Sequence, residues 1–192
     1  QVGSPLQVSP GYIRFAGTSM AAPHVSGLAA LVLSLHPNFT LEEVRTIIRN
    51  SSVDIGDPGF DILTGYGRAD AGQAVLLNDS PCVAAIKYPL PGQEITSSSN
   101  LIVIQGTASC RSFHHFTLEI GEGINPSTWT VFASGTTPIK GNTLGQFNSA
   151  SVTKSDFYSF RLTVFNSAGK TFRAYSPVLF LKDLHTGWPK DF

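Results

Sequence analysis

The sequence predicts two architectures in succession. Residues 1–79 read as the helices of an α/β domain and residues 80–182 as an all-β sandwich, with 183–192 a tail or the start of a further domain. Three observations predict this. Up to residue 77, small residues and apolar positions recur at helical spacing. Beyond residue 80 come short runs rich in Thr, Ser, Phe and Val that alternate apolar with polar, separated by Gly, Pro and Asn. Between them, Asn78-Asp79-Ser80-Pro81 has the composition of a turn and marks the boundary.

Residues 12–15 read as a short strand leading into the turn Ala16-Gly17-Thr18-Ser19. A helix over 20–35 follows, with Ala21, Val25, Leu28, Val32 and Leu35 on one stripe. Ala22, Gly27, Ala29 and Ala30 widen the apolar surface, so this helix is expected to be buried nearly all round. Pro23 then falls in its first turn, where backbone donors lack an intrahelical partner. His36-Pro37 stops it. Thr40-Leu41-Glu42-Glu43 is a capping box, with Leu41, Val44, Ile47 and Ile48 as the apolar face. Arg45 and Arg49 suit the negative end of that helix. A short helix over 71–77 is capped by Asp70, with Gln73 at the capping-box position, and the Gly- and Asp-rich stretch 56–67 reads as loop.

In the second part, strands are expected over 101–108, 113–120, 128–133, 157–166 and 171–181. Phe116, Leu118 and Ile120 alternate with Thr117 and Glu119, and Tyr158, Phe160, Leu162 and Val164 alternate with Ser159, Arg161 and Thr163. Strands of this length between turns build a two-sheet sandwich. Asp156-Phe157-Tyr158 sits where a tyrosine corner falls. Phe160 occupies the position that holds a cysteine in antibody domains, so the likeness is to a generic immunoglobulin-like sandwich.

Composition excludes some partners. Lysine plus arginine equals aspartate plus glutamate at 13 each, giving zero net charge. No basic stripe appears, which argues against nucleic acid. The longest apolar stretch, 25–35, is short for a bilayer and contains Ser26, Gly27 and Ser34, so no membrane span is expected. The chain begins at Gln1 with no leader pattern, which is uninformative about compartment for a piece of a longer precursor. The two cysteines, Cys82 and Cys110, are compatible with a disulfide in a secreted protein or with two buried thiols.

One segment carries chemistry. A serine nucleophile needs a base, an orienting acid and donors for the developing oxyanion. A serine at the start of a helix has part of this already, because early amides are free and the helix dipole favours negative charge there. Gly17-Thr18-Ser19-Met20-Ala21-Ala22-Pro23-His24 puts Ser19 in that place. The eleven residues 17–27, GTSMAAPHVSG, closely resemble the nucleophile signature of the subtilisin-like serine peptidases. An α/β-hydrolase elbow would need Gly where Ala21 stands. His36-Pro37 with its capped helix, and Gly65-Tyr66-Gly67-Arg68-Ala69-Asp70-Ala71, resemble the closing helices of the same domain. The resemblance covers roughly residues 10–77.

The resemblance implies a remnant of a doubly wound parallel-sheet domain and a secreted endopeptidase acting on polypeptides. It makes Ser19 the nucleophile and its backbone N–H an oxyanion donor, with Thr18 supporting the oxyanion side. His24 belongs to the signature as a helix residue; five positions along a helix set it about 7.5 Å and about 140° from Ser19, so it is not the base. The family places its Asp and His before its Ser. The 18 residues before Ser19 contain neither, so base, acid and oxyanion asparagine are expected from a missing N-terminal partner portion, and this chain alone is expected to be inactive. Its helices, lacking their sheet, are not expected to fold natively alone. No cofactor is expected in this piece; calcium is common in the family, and no ligand cluster for it is legible here.

Other readings stand beside these. A G-T-S turn can simply cap a helix, and the upstream half can be a pseudopeptidase scaffold. The sandwich can be a non-catalytic binding or spacer module, and 104–108, 113–123, 126–129 and 157–162 resemble sandwich modules of secreted multidomain bacterial peptidases. Trp129 and Phe113 can line a carbohydrate or peptide groove or simply pack in a core. His114 and His115, as strand neighbours, are expected on opposite faces and unable to chelate together. Asn38, Asn50 and Asn78 begin N-x-S/T sequons, which matter only in a eukaryotic secretory pathway.

Overall fold

The computed structural model describes residues 7–9, 12–57, 59–61, 63–77, 81–96 and 101–181. The expected boundary at 78–80, the sequon at Asn78 and the stretch 183–192 lie outside them.

The first part opens with β1 (Gln7–Ser9) paired antiparallel to β2 (Tyr12–Ile13), a shorter strand than expected. Helices α1 (Thr18–Leu35), α2 (Leu41–Ser51) and α3 (Ala71–Leu76) follow. At α2 the capping box forms in full: the Thr40 hydroxyl oxygen accepts from the Glu43 amide, and the Glu43 carboxylate accepts from the Thr40 amide at 2.7 Å. Asp70 caps α3 by accepting from the Gln73 amide at 2.9 Å. Leu28 and Val32 of α1 pack on Val44 and Ile47 of α2 and Ala74 of α3, a small core of their own.

Helix α1 departs from the expectation of burial all round. Of its predicted stripe only Leu28 and Val32 are buried, while Val25 is 43% and Leu35 52% exposed. Met20, Leu31 and Leu33 are exposed as well. The reason is physical: α2 and α3 cover one side of its C-terminal half, and among the described residues the first part has no sheet beyond β1–β2 to cover the rest. The parallel sheet of an α/β domain is not among them.

The second part is a two-sheet sandwich. Its strands are β3 (Val83–Tyr88), β4 (Glu94–Thr96), β5 (Leu101–Ser109), β6 (Phe113–Glu122), β7 (Thr130–Gly135), β8 (Ile139–Asn148), β9 (Asp156–Asn166) and β10 (Thr171–Leu181). One sheet has the order β4-β10-β9-β6-β7 and the other β3-β5-β8, with β4 parallel to β10 and the remaining pairs antiparallel. Alternation does what strand periodicity requires. Tyr158, Phe160, Leu162 and Val164 of β9 and Phe172, Ala174, Val178 and Phe180 of β10 face inward, against Ile102, Ile104 and Ala108 of β5. A disulfide joins Cys82 to Cys110, clipping the start of β3 to the end of β5.

Three strands were not expected. β3 carries two alanines, β4 is three residues long, and β8 contains Gly141, Asn142 and Gly145, all weak strand signals. They exist because their backbones pair with β5 and β10, not because of local propensity.

Candidate active site

The chain reaches Ser19 through a glycine. Gly17 is the cap residue of α1, with φ +148° and ψ 170°, a region that side-chain-bearing residues rarely enter. Its carbonyl accepts from the amides of Met20 at 3.0 Å and Ala21 at 3.1 Å. No side chain caps this end of the helix. Thr18 and Ser19 are therefore inside the helix, and the simple capping reading of the G-T-S turn does not describe this geometry.

Helix α1 starts two residues before the expected Met20, and this relocates Pro23. It is the sixth helical residue rather than one of the first turn. A proline there offers no N–H to the carbonyl four residues back, and its ring crowds that carbonyl. The carbonyl in question is that of Ser19. Ser19 itself is the second helical residue and is exposed, as is Thr18. Its amide is among the first four of the helix, which have no intrahelical acceptor, and it lies at the positive end of the macrodipole.

His24 turns away from this work. Its Nδ1 lies 2.7 Å from the carbonyl oxygen of Met20, one turn back on the same helix. His36, at the far end of α1, stacks on Phe39 with centroids 4.4 Å apart. The Ser19 hydroxyl thus has a positioned amide and dipole, and the structure brings neither of these histidines to it. What the arrangement offers is an exposed hydroxyl beside an amide of the first helical turn.

The other candidates separate. Phe113 packs against the sandwich core, 6.5 Å from Phe116. Trp129 lies under the Arg161 guanidinium, 4.1 Å from its ring centroid. His114 and His115 correct the strand argument: a register shift between Phe113 and His115 lets the two rings meet, with their Nδ1 atoms 2.6 Å apart and His115 stacked on Phe165. Among the described residues no group of three or more His, Cys, Asp or Glu side chains could hold a metal ion.

Known proteins resemble the first part. The subtilase family model matches residues 1–67. The first part is similar to the subtilases. An extracellular serine protease of Serratia marcescens is 39% identical over 70 residues, covering 36% of this chain and 7% of that protein. Fervidolysin of Fervidobacterium pennivorans is 39% identical over 82 residues, 43% of this chain and 10% of the other. A thermostable alkaline protease of Halalkalibacterium halodurans is 43% identical over 63 residues, 33% of this chain and 17% of its own length. The chain thus spans a small fraction of the relatives it matches. Within the matched segment, sequence reasoning missed the conformation of Gly17 and the true register of Pro23. The Gly-Thr-Ser-x-x-x-Pro spacing was the available signal for both.

Proposed function

We propose that the subtilase segment is the nucleophile-bearing end of a secreted serine endopeptidase, working only as part of a longer parent. In this reading the Ser19 hydroxyl attacks the scissile carbonyl of a polypeptide, and the Ser19 amide receives the developing oxyanion with support from Thr18. Water then cleaves the acyl-enzyme. The catalytic base and acid come from chain preceding these residues, so the 192-residue chain alone does not hydrolyse peptides. The observation that carries the reading is Ser19 at the second position of a helix entered through Gly17, inside the signature 17–27.

The exposed apolar surface of α1 fits the same reading. By length and composition alone this 18-residue helix, mean hydropathy 1.4, could cross a membrane. Its place inside the family match supports a helix that a larger globular domain covers. The immunoglobulin-like sandwich acts as an accessory module. Names of relatives such as the Serratia extracellular protease support export of the parent.

The test is active-site labelling. A fluorophosphonate should modify the full-length parent at Ser19, the label should vanish in Ser19→Ala, and the isolated chain should stay unlabelled. A parent that resists the reagent, or that keeps the label after Ser19→Ala, removes the proposal.

A further inference from the structure

The loop between α2 and α3 presents two aromatic rings to the outer face of the five-stranded sheet. Two isolated bridges, Val53 with Arg68 and Asp61 with Gly65, tie the loop to itself. At its tip the Asp61 carboxylate accepts from the amides of Leu63 and Thr64, each at 2.7 Å, and from the Thr64 hydroxyl. A loop pinned in this way holds Phe60 and Tyr66 edge to face, 5.1 Å apart. Both reach Tyr175 on β10: Phe60 stacks on it at 5.5 Å with 14° between planes, and Tyr66 lies at 6.0 Å.

The contact continues in both directions. Behind the loop, the Arg49 guanidinium of α2 sits 5.1 Å from the Tyr66 ring centroid. Beyond Tyr175 lie Trp129 at 6.0 Å and then Arg161 over the indole. Arg161 is fixed by two hydrogen bonds to Glu119, which Thr163 also contacts at 3.1 Å. Tyr66 is desolvated enough that burial raises its phenol pKa, with the Arg49 charge opposing. The recess left in the seam is small, 170 Å³. Helix α2 also touches β3 and β10.

We infer that this run of rings and guanidinia is a joint that holds the helical part and the sandwich in one fixed orientation. Offset and edge-to-face aromatic pairs, and guanidinia over ring faces, add directional attraction to the area they bury. The sandwich then serves as the packing partner of α2, and through Leu28, Val32, Val44 and Ile47 it steadies the helix that bears Ser19. It also means that Trp129 and Tyr175 are occupied from within the chain and do not form an open ligand platform. The inference concerns packing between the two parts and stands whether or not Ser19 is a nucleophile.

Native-state hydrogen exchange on the 192-residue chain tests it. In Tyr175→Ala, amides of α2 such as Ile47 and Ile48 should exchange about tenfold to a hundredfold faster, while those of Leu162 and Val164 in the sandwich hold. Tyr175→Phe keeps the ring and should leave α2 protection near the starting level. Tyr66→Ala and Phe60→Ala, both outside the sandwich, should reproduce the effect even where the β10 change disturbs folding. Combining Tyr66→Ala with Tyr175→Ala should add little to either alone. Unchanged α2 protection, equal acceleration in both parts, or an α2 already unprotected in the unsubstituted chain would each overturn the joint.

Discussion

Arg161 on β9 grips Glu119 on the neighbouring strand β6 through two parallel hydrogen bonds of 2.6 and 2.9 Å, with both side chains largely out of water. Burial pushes the Glu119 pKa up. The hydrogen bonds and charge of Arg161, then Thr163 and Arg173, pull it down further, so it ends below its ordinary value of 4.5. A depressed folded pKa means the stabilisation is present above the ordinary value and lost as pH falls through the folded one. Arg161→Met leaves Glu119 in place without its partner and should cost about 2–3 kcal/mol at pH 7. The gap to the unsubstituted protein should narrow as pH falls from the ordinary value of 4.5 through the lowered folded one and Glu119 protonates. Urea melts at pH 7 and pH 3 measure both; a gap independent of pH contradicts the assignment.

The disulfide between Cys82 and Cys110 closes a loop of sequence separation 28. Restricting the unfolded chain over that length contributes on the order of 3 kcal/mol. Replacing both cysteines by alanine, or reducing the protein, should lower the Tm of the sandwich by at least about 10 °C. A calorimetric scan with and without reductant reads this directly, and coincident melts would show that the clip adds nothing.

Gly106 and Gly27 should respond in opposite directions to the same substitution. A Cβ on Gly106 would stand 2.0 Å from the carbonyl oxygen of Ala85 on β3, so Gly106→Ala must force β3 and β5 apart. About 2 kcal/mol or more should be lost. Gly27, inside α1, has nothing within 4 Å of its would-be Cβ. In this chain Gly27→Ala should be neutral or gain up to about 1 kcal/mol of helix stability. Circular dichroism on both variants distinguishes the two sites, and equal losses would contradict the packing described.

Phe160 sits at the centre of the sandwich, fully buried, with ring centroids 5.5 Å from Phe147, 5.9 Å from Phe132 and 6.4 Å from Phe180. Phe160→Ala should cost about 3–5 kcal/mol, because rings on three sides cannot all collapse into the space. Phe160→Leu should cost less. Denaturant midpoints at constant m-value provide the comparison.

Where the physics is local, the sequence alone settled the outcome. The capping box at Thr40 and Glu43, the Asp70 cap and the alternation along β6, β9 and β10 each depend on residues within a few positions of one another. The segment 17–27 is legible in part: the sequence marks Ser19 beside a helix start, while the structure begins that helix at Thr18. Tertiary structure decided everything that depends on a distant partner. The small residues of α1 suit close packing, yet burial needs a neighbour, and α2 and α3 cover only part of it. Strand β8 carries glycines and asparagine and exists through its ladder with β5. The β-bulge that brings His114 to His115 arises from pairing with β9, which period-two reasoning does not see. Phe60 and Tyr66 look like ordinary loop residues until Tyr175, more than a hundred positions on, lies against them, because a ring's role is set by what desolvates it.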